Sequence, residues 1–204
     1  MIHENWIFLG AFLNMVGSML YVRDVLRGKA RPNRVTWFIL AFAPILAFSA
    51  MISQGVTFRQ SLMTLVVGVS PLLVVLSTFF TKHPRWEIDR FDMVCGGLSV
   101  FGLLLWLMLR EGNIAIAFGI AADGLAFLPT LRKAYFHPET ESPWLFLLGL
   151  VNGAIALLII KTWDFTHAAF PVYIFVADLL AVIFIWLRFG RFFTRRTNSQ
   201  DVTS

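Results

Sequence analysis

Residues 170–187 read Phe170-Pro-Val-Tyr-Ile-Phe-Val-Ala-Asp178-Leu-Leu-Ala-Val-Ile-Phe-Ile-Trp-Leu187, a run with a single charge. An apolar stretch of about 20 residues spans the hydrocarbon core of a bilayer as a helix. Lipid offers no hydrogen bonds to a stray backbone group, so a helix or a closed barrel must form. The run does not alternate in hydrophobicity every second residue, as a barrel strand would. Six similar runs precede it: Trp6–Val22, Val35–Ile52, Ser61–Phe80, Phe91–Leu109, Ile114–Leu131 and Trp144–Ile160. An all-α integral membrane protein with seven transmembrane helices is expected. Composition agrees, since 58% of the 204 residues are hydrophobic and 14% charged. A soluble domain carries about 25% charged residues.

The basic residues set the orientation. Arg23, Arg27, Lys29, Arg31 and Arg34 follow the first run. Lys82, Arg85 and Arg90 follow the third, Arg132 and Lys133 the fifth, and Arg188, Arg191, Arg195 and Arg196 the seventh. Only Arg59, Arg110 and Lys161 fall on the other side. The positive-inside rule makes the chain N-out and C-in, a multi-pass protein of the bacterial inner (plasma) membrane. The net charge of +5 then reflects topology and contact with anionic lipid at the cytoplasmic face rather than nucleic-acid binding. The tail, 191–204, is basic, polar and expected to be disordered. Trp6, Trp37, Trp86, Trp144, Trp163 and Trp186 lie near span ends and fit interfacial anchors, and Trp106 sits about one turn inside. The N-terminus lacks the basic region of a signal peptide, so the first run is expected to be a retained helix. Cys95 is the single cysteine, which rules out an intramolecular disulfide and a cysteine metal cluster.

The first three spans repeat in the last three. Asn14-Met15-Val16-Gly17 lies over Asp123-Gly124-Leu125-Ala126, and Arg23 over Arg132. Beyond a loop two residues shorter, Trp37 lies over Trp144 and Pro71-Leu72-Leu73-Val74-Val75 over Asp178-Leu179-Leu180-Ala181-Val182. The collinear matches divide the chain into a three-helix repeat (1–82), a linker-helix region (83–112), a second repeat (113–190) and the tail (191–204). One linking helix returns the second unit in the orientation of the first, so the repeats are parallel, a 3+1+3 plan. Gly96, Gly97 and Gly102 suit close packing of the linker helix.

Leu128-Pro129-Thr130-Leu131-Arg132-Lys133, followed by His137-Pro138-Glu139-Thr140-Glu141-Ser142-Pro143-Trp144, is similar to the Pro-Gln stretch of the PQ-loop and SWEET superfamily of small-solute transporters. Thr130 stands where that family has glutamine. In the first copy, Tyr21-Val22-Arg23-Asp24 and then Lys29 to Trp37, Leu20 aligns with Pro129. The resemblance implies a 3+1+3, N-out, C-in transporter with its solute site between the repeats.

An ionisable residue inside a span is costly and marks function by default. Asp123 and Asp178 lie about ten and eight residues into their spans, near the midplane at 1.5 Å per residue. Asn14, the counterpart of Asp123, Asn152 and Ser70 complete a mid-depth ring that could bind solute or carry a proton. The alternative is interhelical hydrogen bonding that only holds the bundle, from Asn14 to Asp123 or from Asp178 to the backbone. Pro44 and Pro129 are candidate hinges. Arg23, Asp24, Arg132 and Lys133 sit at the cytoplasmic mouth, where solvated charge is the first reading and a gate ion pair the second. Asp92 reads as an interfacial residue at the start of the fourth helix.

Enzyme chemistry is not expected. His3, His83, His137 and His167 lie outside the spans, with no metal-binding spacing. Neither Ser70 nor Ser99 has a histidine within the spans, the last span has no lysine for retinal, and no Gly-rich phosphate loop is present. No cofactor or metal is implied. The sequence thus points to a secondary transporter or facilitator of a small polar solute (sugar, amino acid or vitamin-like) working by alternating access, with proton coupling open. A receptor, assembly factor or lipid-interacting scaffold is the alternative, and a homo-oligomer is compatible with either.

Overall fold

The computed structural model describes residues 5–53, 58–83, 86–108 and 112–187. They form seven α-helices and, among the described residues, no strand: α1 (Trp6–Leu26), α2 (Arg34–Ser53), α3 (Phe58–Phe80), α4 (Arg90–Met108), α5 (Gly112–Phe136), α6 (Trp144–Ile159) and α7 (Phe165–Leu187). A 3-10 turn, Pro138–Thr140, links α5 to α6. The expected helices are all present. The tail at 191–204, with Arg188 just before it, and also Arg85 and Arg110, lie outside the described residues. Among the described residues, two helical stretches, Trp6–Leu26 and His167–Leu187, are long and apolar enough to cross a membrane, with mean hydropathy 1.3 and 2.4.

Polar residues fix the helix ends. The Asn33 side-chain carbonyl accepts the Val35 N–H at 3.0 Å and opens α2. Asp89 accepts the Asp92 N–H at 2.8 Å while Asp92 accepts the Asp89 N–H at 3.1 Å, a reciprocal cap that opens α4. Asp164 accepts the His167 N–H at 2.9 Å at the start of α7. Gly28, at φ 74°, lets the chain leave α1 through the left-handed region.

Packing repeats between the two halves. Helix α3 packs on both α1 and α2, and α7 on both α5 and α6. Across the halves, α1 packs on α6 and α2 on α5. Exchanging α1 with α5, α2 with α6 and α3 with α7 leaves this pattern unchanged. Helix α4 lies on α5 and touches α2. Small residues set the close approaches: Gly17 faces the α6 backbone at Trp144 and Leu145, and Gly102 faces Ala122. Gly96 packs on Val35, but Gly97 has open space beside it and is no packing residue.

The core between the halves is aromatic. Tyr21, Trp37, Phe127 and Phe146 are buried together, with the Tyr21 and Trp37 rings 4.8 Å apart and Phe146 5.8 Å from Phe127. Trp37 is therefore a core residue and not an interfacial anchor, because α1 and α6 close over it. Its counterpart Trp144 is exposed, as are Trp6, Trp163 and Trp186.

Candidate functional site

The five polar residues expected at mid-depth all lie near the middle of their helices, in two groups. In α1 and α3, the Ser70 hydroxyl donates to the Asn14 side-chain carbonyl at 2.5 Å, and Ser18 donates to the Ser70 backbone carbonyl at 3.1 Å. All three are buried. In α5 and α7, the Tyr173 hydroxyl donates to Asp123 at 2.7 Å. Asp178 follows Tyr173 by about one and a half turns on α7. It packs against Gly149 of α6, where no side chain intervenes. Asn152, buried, lies one turn further along that face of α6.

Asn14 and Asp123 do not bond to each other. Each finds a hydroxyl on its own neighbouring helix, because α3 and α7 are wedged into their respective halves. Asp178 has no hydrogen-bond partner among the described residues, to the backbone or otherwise. Asp123 and Asp178 both keep some exposure, whereas Asn14, Ser70 and Asn152 are buried. The arrangement offers carboxyl oxygens and a phenol to a visiting polar group. Tyr173 was not among the expected residues. Its only sequence signal is its place on the helix of Asp178, a turn and a half earlier.

The candidate hinges both lie inside helices, Pro44 in α2 and Pro129 in α5. Pro129 leaves the Leu125 carbonyl without its usual helical donor. Pro71 and Pro171 interrupt α3 and α7 in the same way.

The basic end corrects the surface-charge reading. Arg23 is exposed and pairs with its neighbour Asp24 at 3.2 Å, and Arg132 pairs with Asp89 at 2.6 Å and stacks over Phe91. Both arginines stay on the outside and join no α1–α3 residue to an α5–α7 residue. Asp24 and Lys133, by contrast, are buried. The Lys133 ammonium lies 2.8 Å from Glu141 and donates to the Arg31 carbonyl. Glu141 also accepts from the Tyr21 hydroxyl, and Asp24 accepts from Ser142 at 2.7 Å. Burial costs the Lys133 ammonium its hydration, and the Glu141 carboxylate offsets that loss. Asp92, expected at the interface, is also buried, held by the Trp86 indole N–H and the Asp89 N–H. Beside this network a cleft of about 640 Å³ opens between the ends of α1 and α7, with Lys29, Arg31 and Glu139 on its rim.

No group of three or more His, Cys, Asp or Glu residues among the described residues could hold a metal. Compared with family models, curated proteins and solved structures, the chain matches none of them.

Proposed function

We propose that this chain is a seven-span membrane transporter or facilitator for a small polar solute, N-out and C-in, resembling the PQ-loop and SWEET plan. The observation that carries it is the pair Asp123 and Asp178 at mid-helix, partly exposed inside the bundle, with Asp178 lacking a hydrogen-bond partner among the described residues. Polar residues that only hold a bundle together are expected to have partners. A carboxyl kept open at mid-depth is suited to solute binding or proton carriage.

The membrane reading draws support from the outer surface. Phe12, Phe38, Phe79, Phe101, Leu104 and Met108 are all exposed, on four helices. Soluble monomers seldom expose contiguous apolar patches beyond a few hundred Å². Only 28% and 22% of the most apolar windows of Trp6–Leu26 and His167–Leu187 are buried in the protein, unlike the core helix of a soluble fold. The matched packing of α1–α3 and α5–α7 supports parallel repeats that rock against each other around the mid-depth set. Anionic lipid would contact the basic end, and a bacterial inner membrane fits that asymmetry.

The test is uptake by purified protein in proteoliposomes, over a panel of sugars, amino acids and vitamin-like solutes. At least one is expected to accumulate, and Asp178→Asn is expected to abolish its pH dependence. Uptake with unchanged pH dependence in that variant would remove Asp178 as a proton carrier. A panel with neither uptake nor a solute-induced rise in melting temperature would favour the scaffold reading.

A further inference from the structure

Four polar contacts at the basic end cross from the first half to the second. Tyr21 donates to Glu141, Lys133 donates to the Arg31 carbonyl, and Ser142 donates to Asp24 at 2.7 Å. The Arg31 N–H donates to the Thr140 carbonyl at 2.8 Å. One turn or more toward the middle of the bundle, the Tyr21, Trp37, Phe127 and Phe146 rings fill the space between α1, α2, α5 and α6. We propose that Tyr21, Asp24, Lys133, Glu141 and Ser142 form a latch that holds the cytoplasmic end of the solute pathway shut over this aromatic plug. The inference rests on the transporter reading and names the gate for its mid-depth site.

Two physical features make the contact set a gate and not a permanent weld. Lys133 and Glu141 pair within the second half, so closing over them costs both groups hydration, while the new contacts to Tyr21 and the Arg31 carbonyl offset that cost and leave closing balanced against opening. Closing also buries polar groups. Asn33 Nδ2, Thr36 Oγ1, Trp37 Nε1 and Thr130 Oγ1 are buried with no hydrogen-bond partner among the described residues. Three of them belong to the start of α2, and Thr130 lies one turn before Lys133 on α5, the helix that α2 packs against. Parting the halves, α1 from α6 and α2 from α5, would give these groups access to water. The arginines first expected at the mouth, Arg23 and Arg132, make only exposed pairs and stay outside the latch.

Thr130 gives the readout, since it is fully buried, its hydroxyl has no partner among the described residues, and it is close to cysteine in size. A Cys95→Ala, Thr130→Cys background is placed in inverted membrane vesicles, whose outer face is the cytoplasmic one. A membrane-impermeant maleimide then reports opening of that end. Labelling is expected to be slow in this background and about tenfold faster with Tyr21→Phe or Glu141→Gln, as a minor open state of about 1% rises to about 10%. A paired Lys133→Met, Glu141→Met variant leaves no unmatched charge and covers the case in which Glu141→Gln fails to fold; it should label as fast as Tyr21→Phe. Labelling unchanged in Tyr21→Phe and in the paired variant, each with a normal melting profile, overturns the latch. Labelling reads opening and not transport: unchanged labelling in protein that accumulates solute sinks the latch alone. Absence of uptake across the solute panel bears instead on the transporter reading.

Discussion

Gly17 is the sharpest place to test the close approach of α1 and α6. A Cβ there would lie 3.0 Å from the Trp144 carbonyl oxygen, 3.1 Å from Leu145 Cα and 3.2 Å from Leu148 Cβ. Two of these three atoms are backbone, so no rotamer change relieves them. Overpacking of this kind costs about 1–3 kcal/mol. Against it, alanine is favoured over glycine in a helix by about 1 kcal/mol. Gly17→Ala is therefore expected to be neutral to destabilising by about 2 kcal/mol. Gly97 is the internal control: nothing lies within 4 Å of its added Cβ, so Gly97→Ala receives only the propensity gain. The two variants should differ by about 1–3 kcal/mol, with Gly97→Ala the more stable. Equilibrium unfolding by SDS titration in mixed micelles, followed by tryptophan fluorescence, measures both. If Gly17→Ala is as stable as Gly97→Ala, the helices do not approach as described, and the inter-half contact at the centre of the fold is wrong.

The same titration tests the mid-depth hydrogen bond. Ser70→Ala and Asn14→Ala should each cost about 0.6–1.7 kcal/mol, and the double variant should cost less than their sum because both remove one bond. Lys133→Met alone leaves Glu141 buried and unpaired and should cost about 3–5 kcal/mol, whereas Lys133→Met with Glu141→Met should be close to neutral. Asp89 is held below the usual carboxylate range, first by the Asp92 backbone N–H and then by Arg132. Its contribution to stability is thus complete above the unfolded value and lost only as pH falls through the depressed folded value. Carboxyl-carbon NMR should show Asp89 titrating below ordinary aspartates and rising in Arg132→Gln.

What the sequence made legible was the set of helices. Seven apolar runs became seven helices, because 3.6-residue winding satisfies the backbone wherever side chains cannot. The ends were less legible. Helix α7 begins at Phe165 rather than Phe170 because Asp164 caps it. Helix α5 continues through Arg132 and Lys133 to Phe136, since a buried Glu141 and an exposed Asp89 neutralise them on different faces. A charge in sequence looks like a span end. Only the partner, Asp89 far away in sequence for Arg132 and Glu141 just past the helix for Lys133, shows that the helix goes on. Asp123 and Asp178 could be singled out because a carboxylate stands out against apolar neighbours. Tyr173 and Tyr21 escaped because a tyrosine among aromatics does not. The Asn14 and Asp123 partners could not be read either, since hydroxyls on α3 and α7 compete for both and packing decides.

On the proposed reading, the two halves carry matching helices but unlike chemistry, and this follows from the kind of symmetry involved. Inverted repeats turn one open state into the other when the halves exchange roles. Parallel repeats do not: exchanging them returns the same end of the molecule to the same side of the membrane. The shared backbone can supply two halves that rock, yet it cannot make the two ends of a pathway equivalent. Each end needs its own gate, written in side chains that the repeats need not share. The observed pairs fit that requirement. Tyr21 answers to Thr130, Asp24 to Lys133, and buried Trp37 to exposed Trp144. At mid-depth, neutral Asn14 bonded to Ser70 faces the duty that acidic Asp123 bonded to Tyr173 performs in the second half. The carboxyls all fall on α5 and α7, so binding chemistry is concentrated in one half while the other supplies a neutral wall. A solute held against Asp123 and Asp178 would travel with the second half as the first swings past it. The latch at Lys133 and Glu141, carried by that same half, would then release against Tyr21 and Arg31 of the first.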